Sequence, residues 1–192
     1  MENDKKKIVS IIIPCYNAEK TIVRCLESIC NSSYPNSSIE VLLVDGMSND
    51  KTVQTVKEYQ NKKNLDIKII DNNKKYQNFG FNLGLDSSQG EVVMRLDAHS
   101  TIAKDFLRAS MDFLSKNNEA MAIGCLIETK PQDKNSLIGA GISIVMSTVF
   151  GVGGSKFRTL KETKENKFIT VDTAPFCCYR RSVFEKIGKY NE

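Results

Sequence analysis

Ile8-Val9-Ser10-Ile11-Ile12-Ile13 is the stretch whose reading decides the fold. A β-branched run without polar alternation describes a strand covered on both faces, as in a parallel sheet between helices. Pro14 is expected to stop it. Asn17 suits an N-cap, Glu19 falls in a first turn where the helix dipole favours an acid, and Ile22, Leu26 and Ile29 repeat at helical spacing. The pattern then recurs. Ile39 to Val44 reads as a second strand ending at Asp45-Gly46, with Ser48 placed to cap a helix whose Val53, Val56 and Tyr59 face inward. Leu65 to Ile70 reads as a third strand, Gln77 to Leu85 as a short helix, and Glu91 to His99 as a fourth strand whose last residues include Asp97 and His99.

Four short strands alternating with helical patterns describe an α/β domain with a mainly parallel sheet flanked by helices. In such sheets ligands bind beyond the carboxyl ends of the strands. Those ends carry Tyr16 and Asn17, then Asp45, then Asp97 and His99. Alternate side chains of an extended backbone share a face, so Asp97 and His99 can reach towards one ion. A carboxylate with an imidazole suits Mn²⁺ or Mg²⁺, leaving positions for phosphate oxygens and water. Singly, each residue also reads as a solvated acid, a surface histidine or a turn residue before Gly46. Their convergence on one crevice is the stronger signal.

The rest of the chain is less regular. Phe106, Leu107, Ser110, Met111 and Leu114 form the inner stripe of a helix entered through Thr101 and Asp105, and Ala120 to Ile127 reads as a strand. Leu137 to Ser155 carries no charge, but its glycines and hydroxyls leave it short of the roughly 20 mostly apolar residues of a membrane span, and a buried or interfacial helix with a glycine loop is expected. Lys161 to Lys167 reads as a charged loop, Phe168 to Tyr179 as an extended piece broken by Pro175, and Arg180 to Ile187 as a last helix ended by Gly188.

At 192 residues, 41% hydrophobic and 26% charged, the chain fits one globular domain, 8–192, behind a flexible tail, 1–7. A net charge of +4 with scattered lysines gives no case for nucleic acid. Six cysteines without a C-x-x-C pair, with only one histidine to complete a zinc set, fit reduced thiols in the cytoplasm best. No phosphate loop with its lysine, no G-x-G-x-x-G after the first strand and no G-x-S-x-G elbow occurs, so ATP, dinucleotide and hydrolase-triad readings fail. Gly151 to Gly154 could cradle an anion or simply turn the chain.

Five motifs in register carry a family resemblance. Val9 to Asn17, VSIIIPCYN, resembles the opening of family-2 glycosyltransferases, and Val44 to Thr52 resembles their VDxxSxDxT. Asn78 to Gly84 is similar to a shortened form of their N-x-G-x-x-x-N-x-G. Leu96-Asp97-Ala98-His99 falls where they carry D-x-D, and Tyr179 to Phe184 resembles their YRRxxF. The resemblance implies the GT-A nucleotide-diphospho-sugar transferase fold, with a nucleotide-binding part at about 8–100 and an acceptor-side part at about 101–192. It implies a sugar moved from a nucleotide-sugar donor, a UDP-sugar first, to an acceptor hydroxyl with inversion, in polysaccharide or glycoconjugate synthesis, on a saccharide or lipid-linked acceptor. Pro14, Tyr16 and Asn17 would line the base and ribose pocket, Asp45 would accept the uracil N–H, and Asn82 would hold the nucleotide end. Asp97 and His99 would bind the divalent metal bridging the phosphates, and Phe176, Cys177 and Cys178 would floor the acceptor pocket, unless they are a buried strand with small core thiols.

Two departures matter. His99 replaces the second acid, a form similar to that of polysaccharide-building members. The general base, an Asp in a short acidic motif, is expected beyond Glu192, with Glu192 and Asp172 as poor substitutes. A cytoplasmic enzyme follows as the expectation, peripheral at the inner membrane face if a region beyond Glu192 anchors it. A non-catalytic nucleotide-sugar binding fragment is the alternative, and a nucleotidyltransferase a lesser one.

Overall fold

The structure, a computed structural model, describes residues 8–131, 133, 135–153, 155–159, 169–171, 173 and 175–191. The 1–7 tail, Gly154 of the glycine run, the 161–167 loop, Phe168, Asp172 and Glu192 lie outside the described residues. The chain divides into two compact units, one running to Ile123 and resuming at Phe176, the other Gly124–Pro175.

The first unit is built on six strands: β1 (Val9–Cys15), β2 (Ile39–Asp45), β3 (Asp66–Asp71), β4 (Val92–Arg95), β5 (Ala122–Ile123) and β6 (Cys178–Arg180). Their order across the sheet is β3-β2-β1-β4-β6-β5. The first four are parallel, while β6 runs antiparallel to both β4 and β5. The mainly parallel sheet expected from the apolar runs is therefore present.

Every residue of β1 is buried, and its alternate side chains feed two separate cores. Ile11 and Ile13 join Val41, Leu43 and Met94 against α1 (Ile22–Cys30), α2 (Thr52–Gln60) and α4 (Phe106–Lys116), whereas Ile12 joins Leu42, Val44 and Val93 against Phe81 and Leu85 of α3 (Gln77–Ser87). The second core explains a glycine: a Cβ at Gly84 would lie 2.4 Å from Ile12 Cγ2, so only a bare backbone lets α3 approach the sheet this closely. The C-terminal α8 (Ser182–Ile187) closes the same face, with Phe81 stacked 5.6 Å from Phe184 and 4.7 Å from Tyr190.

Several boundaries move for physical reasons. β1 continues through Pro14 to Cys15 instead of stopping. Leu96 N–H bonds Ile12 O, so Ile12 faces β4; Pro14, two residues on, faces the same side beyond the last paired residue of β4, where no ladder needs its missing N–H. α1 begins at Ile22 and α2 at Thr52, because Asn17, Glu19 and Ser48 bond across to the neighbouring loop instead of capping their own helices. The strand expected over Ala120 to Ile127 shrinks to two residues.

The second unit holds α5 (Leu137–Val145), α6 (Val149–Val152) and α7 (Lys156–Thr159). Ser136 and Thr148 cap the first two through Gly139 N–H and Gly151 N–H. α5 is exposed, with Leu137, Ile138 and Ile142 facing outward, which overturns the buried version of its reading. Among the described residues no helix is long and apolar enough to cross a membrane.

Candidate functional site

The parallel register sets β1 to β4 ending at one edge, with Cys15 opposite Asp45 and Asp45 opposite Asp71. The loops beyond those ends are laced together. Asn17 N–H donates to Ser48 Oγ at 2.9 Å and Asn49 N–H returns to Asn17 Oδ1 at 2.9 Å. Ala18 N–H donates to Thr52 Oγ1, Glu19 N–H to Asp50 Oδ2, and Lys51 N–H to Glu19 Oε2. Burial opposes ionisation of Asp50, but the Thr52 side chain and the surrounding backbone amides outweigh it and hold its carboxyl below the usual range. Three left-handed non-glycine residues, Asn17, Met47 and Lys75, follow β1, β2 and β3 respectively. Strained backbone of this kind costs on the order of 1–3 kcal/mol per residue and collects at functional sites.

Asp45 is buried at the tip of β2, with Ser48 N–H at 2.9 Å from Oδ2 and Ser48 Oγ at 2.5 Å from Oδ1. Its oxygens keep lone pairs for a further donor. The Cys15 thiol points at Oδ1 from 3.7 Å, and burial, then the Asp45 charge, pushes that thiol far above its ordinary range. Pro14 is buried under this corner, whereas the Tyr16 ring is half exposed, with Lys75 Nζ 5.9 Å from its centroid.

Asp97 and His99 are not on an extended strand. β4 ends at Arg95, and Ser100 N–H bonds Asp97 O at 2.9 Å, closing a tight turn over 97–100. A turn, and not the alternating faces of a strand, therefore carries both residues. Gln77 Nε2 donates to Asp97 Oδ1 at 3.1 Å, and Arg95 reaches the same oxygen at 3.5 Å. From α1, Arg24 donates to His99 O at 3.1 Å and the Cys25 thiol to Asp97 O at 3.8 Å. Burial, then the nearby Asp97 charge, pushes Cys25 up to about 12. His99 is exposed.

The donor set fits a hard divalent cation. Asp97 offers an oxygen, Oδ2, that no donor among the described residues reaches, and the His99 imidazole makes no hydrogen bond or ion pair with them. Among the described residues no group of three or more potential ligands forms, so the remaining positions would fall to ligand oxygens and water.

Other expectations meet different surroundings. Asn82 is 4% exposed, and its side-chain amide clasps the main chain of Tyr190, donating to O at 2.8 Å and accepting from N–H at 3.1 Å. Asn78, one turn earlier, donates to Asn191 O. Cys178 is fully buried in β6 and Cys177 nearly so, which supports the alternative of core thiols; Phe176 packs partly buried on the same core. The arginines of the YRR motif are structural: Arg180 binds the carbonyls of Ala120, Leu114 and Asn117, and Arg181 those of Gly90 and Leu85. Gln77 and Arg24, which periodicity placed only within helices, and Lys75, which it placed in no element, stand beside these groups and were not singled out by sequence reasoning; their spacing carries no signal, since the fold alone brings them there.

Residues 10–188 match the family model described as Glycosyl transferase family 2. The chain is 35% identical over 159 residues to a dolichyl N-acetyl-alpha-D-glucosaminyl phosphate 3-beta-D-2,3-diacetamido-2,3-dideoxy-beta-D-glucuronosyltransferase of Methanococcus voltae, covering 80% of this chain and 48% of that protein. Among solved structures, S. aureus TarS 1-349 in complex with UDP superposes with a TM-score of 0.63 at 24% identity, covering 93% of this chain and 48% of that one. The mannosyltransferase PcManGT from Pyrobaculum calidifontis, in complex with GDP-Man and Mn2+, gives 0.69 at 20% identity, covering 97% and 48%. The chain thus spans about half the length of each.

Proposed function

The chain belongs to glycosyl transferase family 2, and from that membership we propose that it forms the donor-binding part of an enzyme moving a sugar from a nucleotide-diphosphate donor to an acceptor hydroxyl. The observation that carries this is the shared edge of the sheet: Asp45 ends β2 and Asp97 follows β4, on either side of β1, with the β1 loop bonded to Ser48 beside Asp45 and Gln77 of α3 bonded to Asp97. The donor is a UDP-sugar. The acceptor-only Asp45 carboxylate suits a base presenting an N–H, as uracil does, and a structural relative was crystallised with UDP.

Tyr16 gives the base a half-exposed aromatic face beside Asn17, above the buried Pro14. Stacking of a base on such a ring is worth about 1–3 kcal/mol in nucleic-acid complexes. Asp97 and His99 would hold a divalent ion, Mn²⁺ or Mg²⁺, which when bound supplies positive charge to the diphosphate that leaves. The Mn2+ in the PcManGT complex supports a divalent ion in a protein of this fold. Asn82 works at one remove by fixing the Tyr190 segment. Transfer is inverting, and the acceptor is a saccharide or lipid-linked sugar in polysaccharide or glycoconjugate synthesis. The dolichyl N-acetyl-alpha-D-glucosaminyl phosphate in the name of the Methanococcus relative favours the lipid-linked form. Because the chain spans about half of its relatives, a second reading keeps the fragment as a nucleotide-sugar binder without turnover.

Calorimetric titration with UDP, GDP and CDP, with and without Mn²⁺, tests the reading. UDP binding strengthened by the ion is expected, with donor hydrolysis separating the enzyme from the binder. Indifference to all three nucleotides would remove both.

A further inference from the structure

We propose that Gln77 is a positioning residue that turns one oxygen of Asp97 outward to meet a divalent cation; this rests on the metal-assisted reading of the site. Torsion about the terminal bond of an aspartate is broad, so a partly exposed carboxylate on a turn has no fixed direction of its own. Here two donors converge on one oxygen, Gln77 Nε2 at 3.1 Å and Arg95 at 3.5 Å, both on Oδ1. No donor among the described residues reaches Oδ2. The asymmetry selects which oxygen is free.

The two donors are not equivalent. Arg95 sits at the limit of hydrogen bonding, and its charge competes with any cation for the same carboxylate. Gln77 is neutral, so it orients Asp97 without cancelling the charge a cation needs. It is also the first residue of α3, which Phe81 and the close approach of Gly84 to Ile12 fix to the sheet. The direction of Oδ2 is thereby tied to the rigid part of the molecule. Because the Gln77 side chain is exposed, its bond satisfies no buried group, and losing it leaves the fold intact.

Mn²⁺ binding followed by electron paramagnetic resonance, without nucleotide and with UDP, tests this on the 192-residue chain. Gln77→Met keeps the length of the side chain and removes the donor. Removing a partner that orients a ligand lowers metal affinity about 10–100-fold. That loss is expected for Gln77→Met and Gln77→Ala, with the metal-free affinity for UDP and the thermal midpoint unchanged. Asp97→Ala should abolish Mn²⁺ binding altogether, leaving the signal of the free ion undiminished. Gln77→Met binding Mn²⁺ within twofold of the parent, while Asp97→Ala does not bind, would overturn the role of Gln77 and leave the metal site standing. Undiminished binding by Asp97→Ala would overturn both.

Discussion

Replacing Asn82 by Ala separates two accounts of this residue, a contact to the nucleotide or a clasp on the chain after α8. The clasp consists of two hydrogen bonds, 2.8 Å and 3.1 Å, to the carbonyl and amide of Tyr190, made by a side chain that is 4% exposed. At about 1 kcal/mol net per bond, their loss costs about 2 kcal/mol locally. Alanine returns roughly 0.5 kcal/mol of helix propensity to α3, so global stability falls by about 1.5 kcal/mol. The Tyr190 ring, stacked 4.7 Å from Phe81, keeps the segment from detaching outright. Native-state hydrogen exchange reads the local term directly: with tenfold for every 1.4 kcal/mol, protection of the Tyr190 amide should drop about 30-fold. The affinity for UDP should stay within about twofold. A tenfold loss of UDP affinity with unchanged Tyr190 exchange would refute the clasp and return Asn82 to the nucleotide.

Gly84→Ala sets a helix gain of about 1 kcal/mol against overpacking of about 1–3 kcal/mol, since the new Cβ would meet Ile12 Cγ2 at 2.4 Å. The urea midpoint should fall, and a rise would show that α3 can back away from the sheet at no cost. Cys15, Cys25, Cys177 and Cys178 are buried and Cys30 and Cys125 only partly so; a thiol reagent at pH 8 should therefore label Cys30 and Cys125 first, and fast labelling of Cys25 would contradict the packing. The Cys25 thiol is raised in the fold from an ordinary value of 9.0 to about 12, so its contribution is complete below pH 9 and is lost as pH climbs towards 12; alkaline unfolding monitored by thiolate absorbance should show it ionising only as the chain opens. Asp50 is lowered from 3.8, so its contribution is present above pH 4 and vanishes as pH falls through the folded value; Asp50→Asn should flatten the acid limb of the stability profile, and an unchanged limb would remove the carboxylate from the loop clamp.

The sheet was legible because its information is local. A run such as Ile8 to Ile13, β-branched and stopped at a proline, reads as a strand buried on both faces, and both cores of β1 agree with it. The caps were not legible, because Asn17, Glu19 and Ser48 suit the start of a helix equally well when read along the chain. The strand register sets them beside another loop, and each bonds there instead. Pro14 misled for the same reason: a missing N–H matters only where a neighbouring strand asks for it, and β4 has already ended. The residues around Asp97 show the limit most sharply. Gln77 is 20 positions from Asp97 and Arg24 is 75 from His99, and no periodicity joins positions that meet only through topology.

The central claim is that a cation held beside Asp97 and a nucleotide held beside Asp45 occupy one edge of the sheet and reinforce each other. Calorimetric titration of UDP into the parent chain and into Asp97→Ala, each with and without Mn²⁺, measures that coupling directly. The account requires the ion to tighten UDP binding at least tenfold in the parent and not at all in Asp97→Ala, with the same ion-free affinity in both. Equal enhancement by Mn²⁺ in the two proteins would contradict it.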